Sequence, residues 1–293
     1  MRISVVTATW NSEKTLGDTM RSVLAQVRGR EGAGFEVEHI IVDGCSSDGT
    51  MGIVKGMVDR YRDAGVTLKW VSERDSGIYD AMNKGIGMAT GEVVGLLNSD
   101  DFYTSDGVLA RVASEFMREG NPRHGVVTDR VDPGDASVTG SVAPDGIDAV
   151  YGDIHYVDDG DLEKCVRRYS SKGFRRWKMR LGYMPAHPSF YCRRGVYERL
   201  GLFDTEFRIA ADFEQLLRLI YINGIVARYV EMDFVTMRTG GASTSGLSSH
   251  RRIICEHIAA YRKNGVRSGW LHESVRYVCK GTALVWHRVT GGL

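Results

Sequence analysis

The sequence predicts an α/β protein built on a doubly wound, mostly parallel sheet. Strand-like and helix-like segments alternate from the N-terminus through residue 97, and the connections between them are short. The run EVVGLL is also apolar on both faces, in Val93, Val94, Leu96 and Leu97, which suits a strand covered by helices above and below.

The elements follow in order. RISVVTAT reads as a strand, and SEKTLGDTMRSVLAQ as a helix with Ser12 in the N-cap position. EVEHIIVDG is a second strand, the turn CSSDG follows, and TMGIVKGMVDRYRDAG is a single helix. TLKWVSE, SGIYDAMNKGIGMATG and EVVGLLN give strand, helix with a glycine stop, and strand. Residues 121–147, rich in Gly, Asp, Ser and Pro, read as an insertion or mobile loop. AVYGDIHYV resumes strand character. In FDTEFRIAADFEQLLRLIYING, Phe213, Leu216, Leu217 and Ile220 recur at helical spacing, so one helix face is buried. TGGASTSGLSS is a Gly/Ser loop, and the remainder reads as helical.

At 293 residues the chain has room for a large core. A net charge of +1 provides no general field for nucleic acid. Five scattered cysteines with no CxxC pair exclude a zinc ribbon and point to reduced thiols. The N-terminus lacks a signal-peptide pattern, and no apolar run approaches the roughly 18 residues of a membrane span. A soluble, cytoplasmic chain is expected. The tail RSGWLHESVRYVCKGTALVWHRVTGGL is the exception to plain solubility. Its tryptophans and its basic residues Arg267, Arg276, Lys280 and Arg288 suit peripheral membrane contact on the inner face, packing on the catalytic domain, or a homodimer contact through residues 266–293.

On such sheets ligands sit beyond the carboxyl ends of the strands. The polar residues there are Thr7, Thr9 and Asn11, Asp43, Glu73 and Asp75, then Asn98, Asp100 and Asp101. Adjacent carboxylates at the tip LNSDD are costly when buried unless a cation or a ligand's hydroxyls meet them, or unless one of them caps the next helix. Asp212 opens the helix of the ADFE segment, either as an N-cap or as a general base aimed into the cleft. Asp80 and Lys84 belong either to the site or to a solvated helix face. Gly85, Gly87 and Gly91 imitate a dinucleotide fingerprint, but they lie between a helix and the strand that follows it, the reverse of what the fingerprint needs.

ISVVTATWN, IIVDGCSSDGT, ERDSGIYDAMNKGIGMATGEVVGLLNSDD and FRIAADFEQLLRL, taken together and in this order, resemble family 2 glycosyltransferases with the GT-A fold over about residues 2–245. The resemblance implies an inverting transfer of a sugar from a nucleotide-diphosphate sugar, UDP-linked by default, to a hydroxyl acceptor in polysaccharide, lipopolysaccharide or glycolipid synthesis. The acceptor is then a saccharide or is lipid-linked. It further implies a catalytic domain over residues 1–245, with a donor half at 1–105 and an acceptor half at 106–245, and a helical extension over 246–293. Thr7, Thr9, Asn11, Asp43, Asp75, Lys84, Asn98 and Asp100 would line the donor, with Asp101 holding Mn²⁺ or Mg²⁺ and Asp212 acting as base. His187, Gly240, Gly241 and Ser243 are candidate contacts for the acceptor or diphosphate. The chain departs from the family pattern at Asn98, where many relatives carry Asp. Two other readings remain open at this point, a sugar-1-phosphate nucleotidyltransferase and a nucleotide-sugar-binding protein without catalysis.

Overall fold

The structure is a computed structural model and describes residues 1–28, 34–118, 146–239 and 246–268. Its first half follows the alternation in the sequence. Strand β1 (Arg2–Thr9) leads to helix α1 (Leu16–Ala25), β2 (Glu36–Asp43) to α2 (Thr50–Gly56) and α3 (Val58–Asp63), and β3 (Thr67–Ser72) to α4 (Ile78–Met88) and β4 (Val93–Leu96). These strands pair in parallel in the order β3-β2-β1-β4. The register sets Thr9 beside Asp43 and Asp43 beside Ser72, so the strand ends form one level rim.

Two local expectations are corrected. The helix after β2 is broken at Met57, whose backbone sits at φ −97°, ψ −7° and bonds back to Val54 at three residues' distance. Glycines at 52 and 56 lower the helix propensity of this segment. Ser12 does not cap α1 with its side chain. Its carbonyl accepts from the amides of Thr15 and Leu16, and its hydroxyl meets the Ser99 hydroxyl at 2.8 Å, tying the β1–α1 loop to the tip beyond β4.

The false dinucleotide fingerprint has a packing explanation. A Cβ at Gly85 would stand 2.2 Å from Val6 Cγ1, and one at Gly91 would stand 2.8 Å from the Arg2 carbonyl. These glycines let α4 and the β4 approach lie tight on β1.

The second half contributes β5 (Phe102–Tyr103), α5 (Val108–Met117), β6 (Ala149–Asp158), β7 (Asp161–Tyr169), β8 (Tyr191–Arg193), α6 (Arg194–Leu200), α7 (Ala211–Leu216), β9 (Ala227–Arg238) and α8 (Gly246–Lys263). α7 continues through a π-helical turn, Leu217–Ile222. Strand β8 runs antiparallel to both β4 and β6 and so joins the halves. β6 and β9 are parallel, while β5 and β7 add on antiparallel. A Cβ at Gly95 would lie 2.1 Å from Tyr191 Cε1, so glycine is what lets this junction close. Gly246 begins α8, so the Gly/Ser loop expected to run through residue 249 ends before it.

Helices α4, α6, α7 and α8 pack on one face of the sheet, and α1, α2, α3 and α5 on the other. Phe213, Leu216, Leu217 and Ile220 are all buried, as their spacing predicts. Among the described residues no helix is long and apolar enough to cross a membrane.

Candidate active site

At the tip beyond β4 the chain turns sharply, with the Asp101 amide donating to the Asn98 carbonyl at 3.1 Å. Asn98 Nδ2 donates to Asp101 Oδ2 at 3.1 Å. Asn98 Oδ1 and Asp101 Oδ1 are buried without a hydrogen-bond partner. Gly107 precedes α5 with no side-chain cap, so neither aspartate serves that helix. Burial raises the pKa of Asp100. Burial and the charge of Asp100 push that of Asp101 well above the usual carboxylate range. Two ionised carboxylates with an orphaned buried oxygen are unfavourable alone, and they suit a hard divalent cation that prefers oxygen ligands. Asp101 is 1% exposed and Asp100 half-buried, so Asp100 presents the accessible carboxylate.

Arg238, which the sequence reading missed, braces the tip from the end of β9. Its Nε donates to the Asp100 carbonyl at 3.1 Å, and its other nitrogens pair with Asp18 and Asp159. With its charge shared between those two carboxylates, it leaves Asp100 and Asp101 without a dedicated counter-ion.

Along the rim toward β3, only part of the expected donor set faces outward. Thr9 is nearly buried and its hydroxyl has no partner. The Thr7 hydroxyl is bonded to His39 Nε2 at 2.9 Å, and His39 Nδ1 to the Tyr61 hydroxyl at 2.7 Å. Burial lowers the His39 pKa to about 3, so this is a neutral core network, and Thr7 belongs to the core instead of the donor surface. Asp43 is fully buried. Its oxygens accept from the Ser46 amide and from the hydroxyls of Ser46 and Ser72, both at 2.5 Å. It shapes the turn after β2 and is not a free contact. Asn11, in the left-handed region at φ 48°, holds the same turn through the Ser47 amide at 2.9 Å.

Lys84 is likewise committed, to Glu73 at 3.0 Å, to Asp80 at 3.5 Å and to the Arg74 carbonyl at 2.8 Å. It clamps the 73–80 loop and is not a free cation for a diphosphate. That loop presents Asp75, whose Oδ1 accepts from the Gly77 amide at 2.9 Å. A Cβ at Gly44 would meet Asp75 Oδ2 at 2.6 Å and Trp10 Cδ1 at 3.4 Å. Gly44 therefore floors a notch between Asp75 and the indole of Trp10, which is 67% exposed. Trp10 was also missed; its signal was a large aromatic at a strand end, directly after Thr9.

Asp212 stands in the first turn of α7, where Ala210 occupies the cap position, so the N-cap reading fails. Its Oδ1 accepts from the Phe213 amide at 2.8 Å and from the Tyr79 hydroxyl at 3.4 Å. Burial raises its pKa to about 6, against the lowering effect of those bonds. Glu256 on α8 accepts from the amides of Ile209 and Ala210 at 2.9 Å each, satisfying the N-terminus of α7, and its charge adds to the upward shift. Burial raises the pKa of the Tyr156 hydroxyl, and the charges of Asp101 and Asp212 both add to that shift, so Tyr156 lies within electrostatic reach of each.

His187 is buried edge-on against Phe203, with ring centroids 5.4 Å apart, and burial lowers its pKa to about 4. That is a packing role and not the expected contact with acceptor or diphosphate. Gly240, Gly241 and Ser243 lie outside the described residues, as does residue 269 onward of the tail. Among the described residues no group of three or more His, Cys, Asp and Glu side chains is arranged to hold a metal.

The profile of the family described as Glycosyl transferase family 2 matches residues 4–201. An uncharacterized glycosyltransferase of Mycobacterium tuberculosis (strain H37Rv) is 28% identical over 253 residues, covering 85% of this chain and 78% of that protein. A PGL/p-HBAD biosynthesis glycosyltransferase of Mycobacterium bovis (strain BCG) is 25% identical over 229 residues, 78% of this chain and 73% of that one. Among solved structures, S. aureus TarS 1–349 in complex with UDP-GlcNAc superposes with a TM-score of 0.55 at 19% identity over 87% of this chain, which spans 66% of that one. The mannosyltransferase PcManGT from Pyrobaculum calidifontis, in complex with GDP-Man and Mn²⁺, gives 0.54 at 15% identity over 96% of this chain and 80% of that one. The sheet and its flanking helices are the GT-A glycosyltransferase fold, and the chain belongs to glycosyl transferase family 2.

Proposed function

We propose that the protein is an inverting glycosyltransferase in which Asp212 is the base and the Asp100–Asp101 tip receives the donor diphosphate with a divalent ion. The observation that carries the reading is the buried, unpartnered carboxylate oxygen at Asp101, beside a carboxyl at Asp212 poised at about 6, both within electrostatic reach of Tyr156. The half formed by residues 1–105 takes the nucleotide, with Trp10, Gly44 and Asp75 as the nucleoside notch and the Thr9 hydroxyl free for a contact. The half formed by 106–245 takes the acceptor. Asp100 and Asp101 would hold Mn²⁺ or Mg²⁺, which stabilises negative charge on a departing nucleoside diphosphate. Two carboxylates leave room for phosphate oxygens among its ligands.

In the transfer itself, the acceptor hydroxyl gives its proton to Asp212 as its oxygen bonds to the anomeric carbon. The bond from that carbon to the diphosphate oxygen breaks on the opposite face, and its electron pair leaves with the nucleoside diphosphate. Asp212 Oδ1 already accepts from Phe213 and Tyr79, so Oδ2 is the oxygen left to take the proton. A pKa near 6 keeps that carboxylate ionised at neutral pH yet basic enough to accept a proton. A UDP-linked donor and a glycolipid acceptor are the default substrates, on the example of the TarS complex and of the relative named for PGL/p-HBAD biosynthesis. A thermal-shift panel of UDP, GDP, dTDP and CDP sugars tests the reading. One donor should raise the melting temperature with Mn²⁺ and much less without it. No shift with any donor would contradict it.

Glu256 provides a second expectation. Glu256→Gln keeps a side-chain oxygen for the Ile209 and Ala210 amides but removes a negative charge near Asp212. The acid limb of kcat/KM should lie near pH 6 in the wild type and move to lower pH in Glu256→Gln. An unmoved limb would mean that Glu256 does not tune Asp212.

A further inference from the structure

We propose that the surface built by residues 172–180 is a docking site for an anionic lipid bilayer. This stretch carries five cations, Lys172, Arg175, Arg176, Lys178 and Arg180, and no acidic residue, in a chain whose net charge is +1. Lys172 is ion-paired with Glu231. The other four make hydrogen bonds to carbonyls and have no ion-pair partner among the described residues: Arg175 to Phe174, Arg176 to Tyr221, Lys178 to Gly173 and Arg180 to Arg267.

The segment is held firmly from beneath. Phe174 and Met179 are buried, and the Met179 carbonyl accepts from the Tyr261 hydroxyl at 2.7 Å. Between these anchors a 3₁₀ turn, Arg176–Leu181, turns Trp177 outward at 52% exposure, with the Lys178 ammonium 5.9 Å from its ring centroid. Arg176 stacks on the Tyr221 ring, 5.6 Å from its centroid. An indole set among cations matches the boundary between headgroups and acyl chains, where the ring is half solvated and the charges meet anionic headgroups.

The course of the chain names the same occupant. Ser268 is the last of the described residues, and its hydroxyl donates to the Arg180 carbonyl at 2.8 Å, which fixes residue 268 on this surface, with 25 residues following it in the sequence. Their sequence repeats its chemistry, with Trp270 and Trp286, and with Arg276, Lys280 and Arg288 against the single Glu273. The surface also lies close behind the cleft, because Tyr261 packs edge-on against Phe213, the neighbour of Asp212. The proposal does not depend on the transfer chemistry, and its test needs no substrate.

The test is sedimentation of the full-length chain with vesicles of phosphatidylglycerol and phosphatidylcholine, against vesicles of phosphatidylcholine alone. The wild type should bind the anionic vesicles, lose them at high salt, and ignore the neutral ones. The double variant Arg175→Glu/Lys178→Glu, with the tail intact, should bind more weakly by about tenfold or more. Trp177→Ala should bind more weakly while keeping the salt dependence. The neutralising pair Arg175→Gln/Lys178→Gln, with a wild-type melting temperature, guards against misfolding. Wild-type affinity in these variants would assign binding to the tail and overturn the proposal. Equal binding to neutral vesicles, or binding to soluble polyphosphate but to no vesicle, would overturn it too.

Discussion

Replacing Asp212 by asparagine is expected to slow the chemical step by about 10²–10⁴-fold, the usual worth of a general base, and at the same time to stabilise the protein at pH 7–8. The second effect follows from the direction of the pKa shift. The Asp212 carboxyl titrates at 3.8 when unfolded and at about 6 in the folded protein, so folding disfavours its ionised form. Its favourable contribution is complete below about pH 3.8 and is lost as the pH rises through about 6. At neutral pH the native state therefore bears a cost of up to about 3 kcal/mol, reduced by whatever solvent reaches the half-buried group. Asparagine carries no charge, and its oxygen still accepts from the Phe213 amide. A structural aspartate would behave in the opposite way. A lower melting temperature for Asp212→Asn, with activity per folded molecule retained, would remove Asp212 from the mechanism.

Asp100→Ala is expected to abolish metal-dependent donor binding and to reduce turnover by roughly 10²–10³-fold, the cost typical of losing one preorganised electrostatic contact to developing charge. Asp101→Asn separates the two aspartates. Asp101 is buried with its pKa raised, so the neutral variant should melt at a higher temperature than the wild type without ligand. The same variant should lose the further rise that Mn²⁺ and donor give the wild type. Calorimetric titration of donor with and without Mn²⁺ reads both changes. An Asp101→Asn protein with undiminished metal-dependent affinity would confine the ion to Asp100, and an unaffected Asp100→Ala protein would move it away from this tip altogether.

The fold was legible where burial imposes a pattern. β1 to β4 are buried or half-buried strands between amphipathic helices, and the buried face of α7 is written in Phe213, Leu216, Leu217 and Ile220. β7 escaped because almost every residue of it is exposed, which leaves no alternation to read, and β8 because it is three residues long. The site was legible by level and not by direction. Strand ends place Thr7, Thr9 and Asp43 near one rim, but the pleat decides which side chains face out, and it turns Thr7 toward His39 and Asp43 into its own turn. Asp212 could be placed at the start of α7 because the buried spacing of Phe213, Leu216, Leu217 and Ile220 begins at the next residue. Glu256 and Arg238 were not found, because each acts across a gap in sequence, 47 residues from Ile209 and 138 from Asp100, that only the folded chain closes.

The most direct test of the central claim, a single displacement with Asp212 as base, is the configuration of the sugar first released from the donor. Donor turned over with water as acceptor can be followed by ¹H NMR in the opening minutes, before mutarotation mixes the anomers. The sugar from an α-linked donor should appear first as the β-anomer, and the signal should fall by about 10²–10⁴-fold in Asp212→Asn. Release of the α-anomer first would require two successive displacements or a front-face route, and would contradict the mechanism.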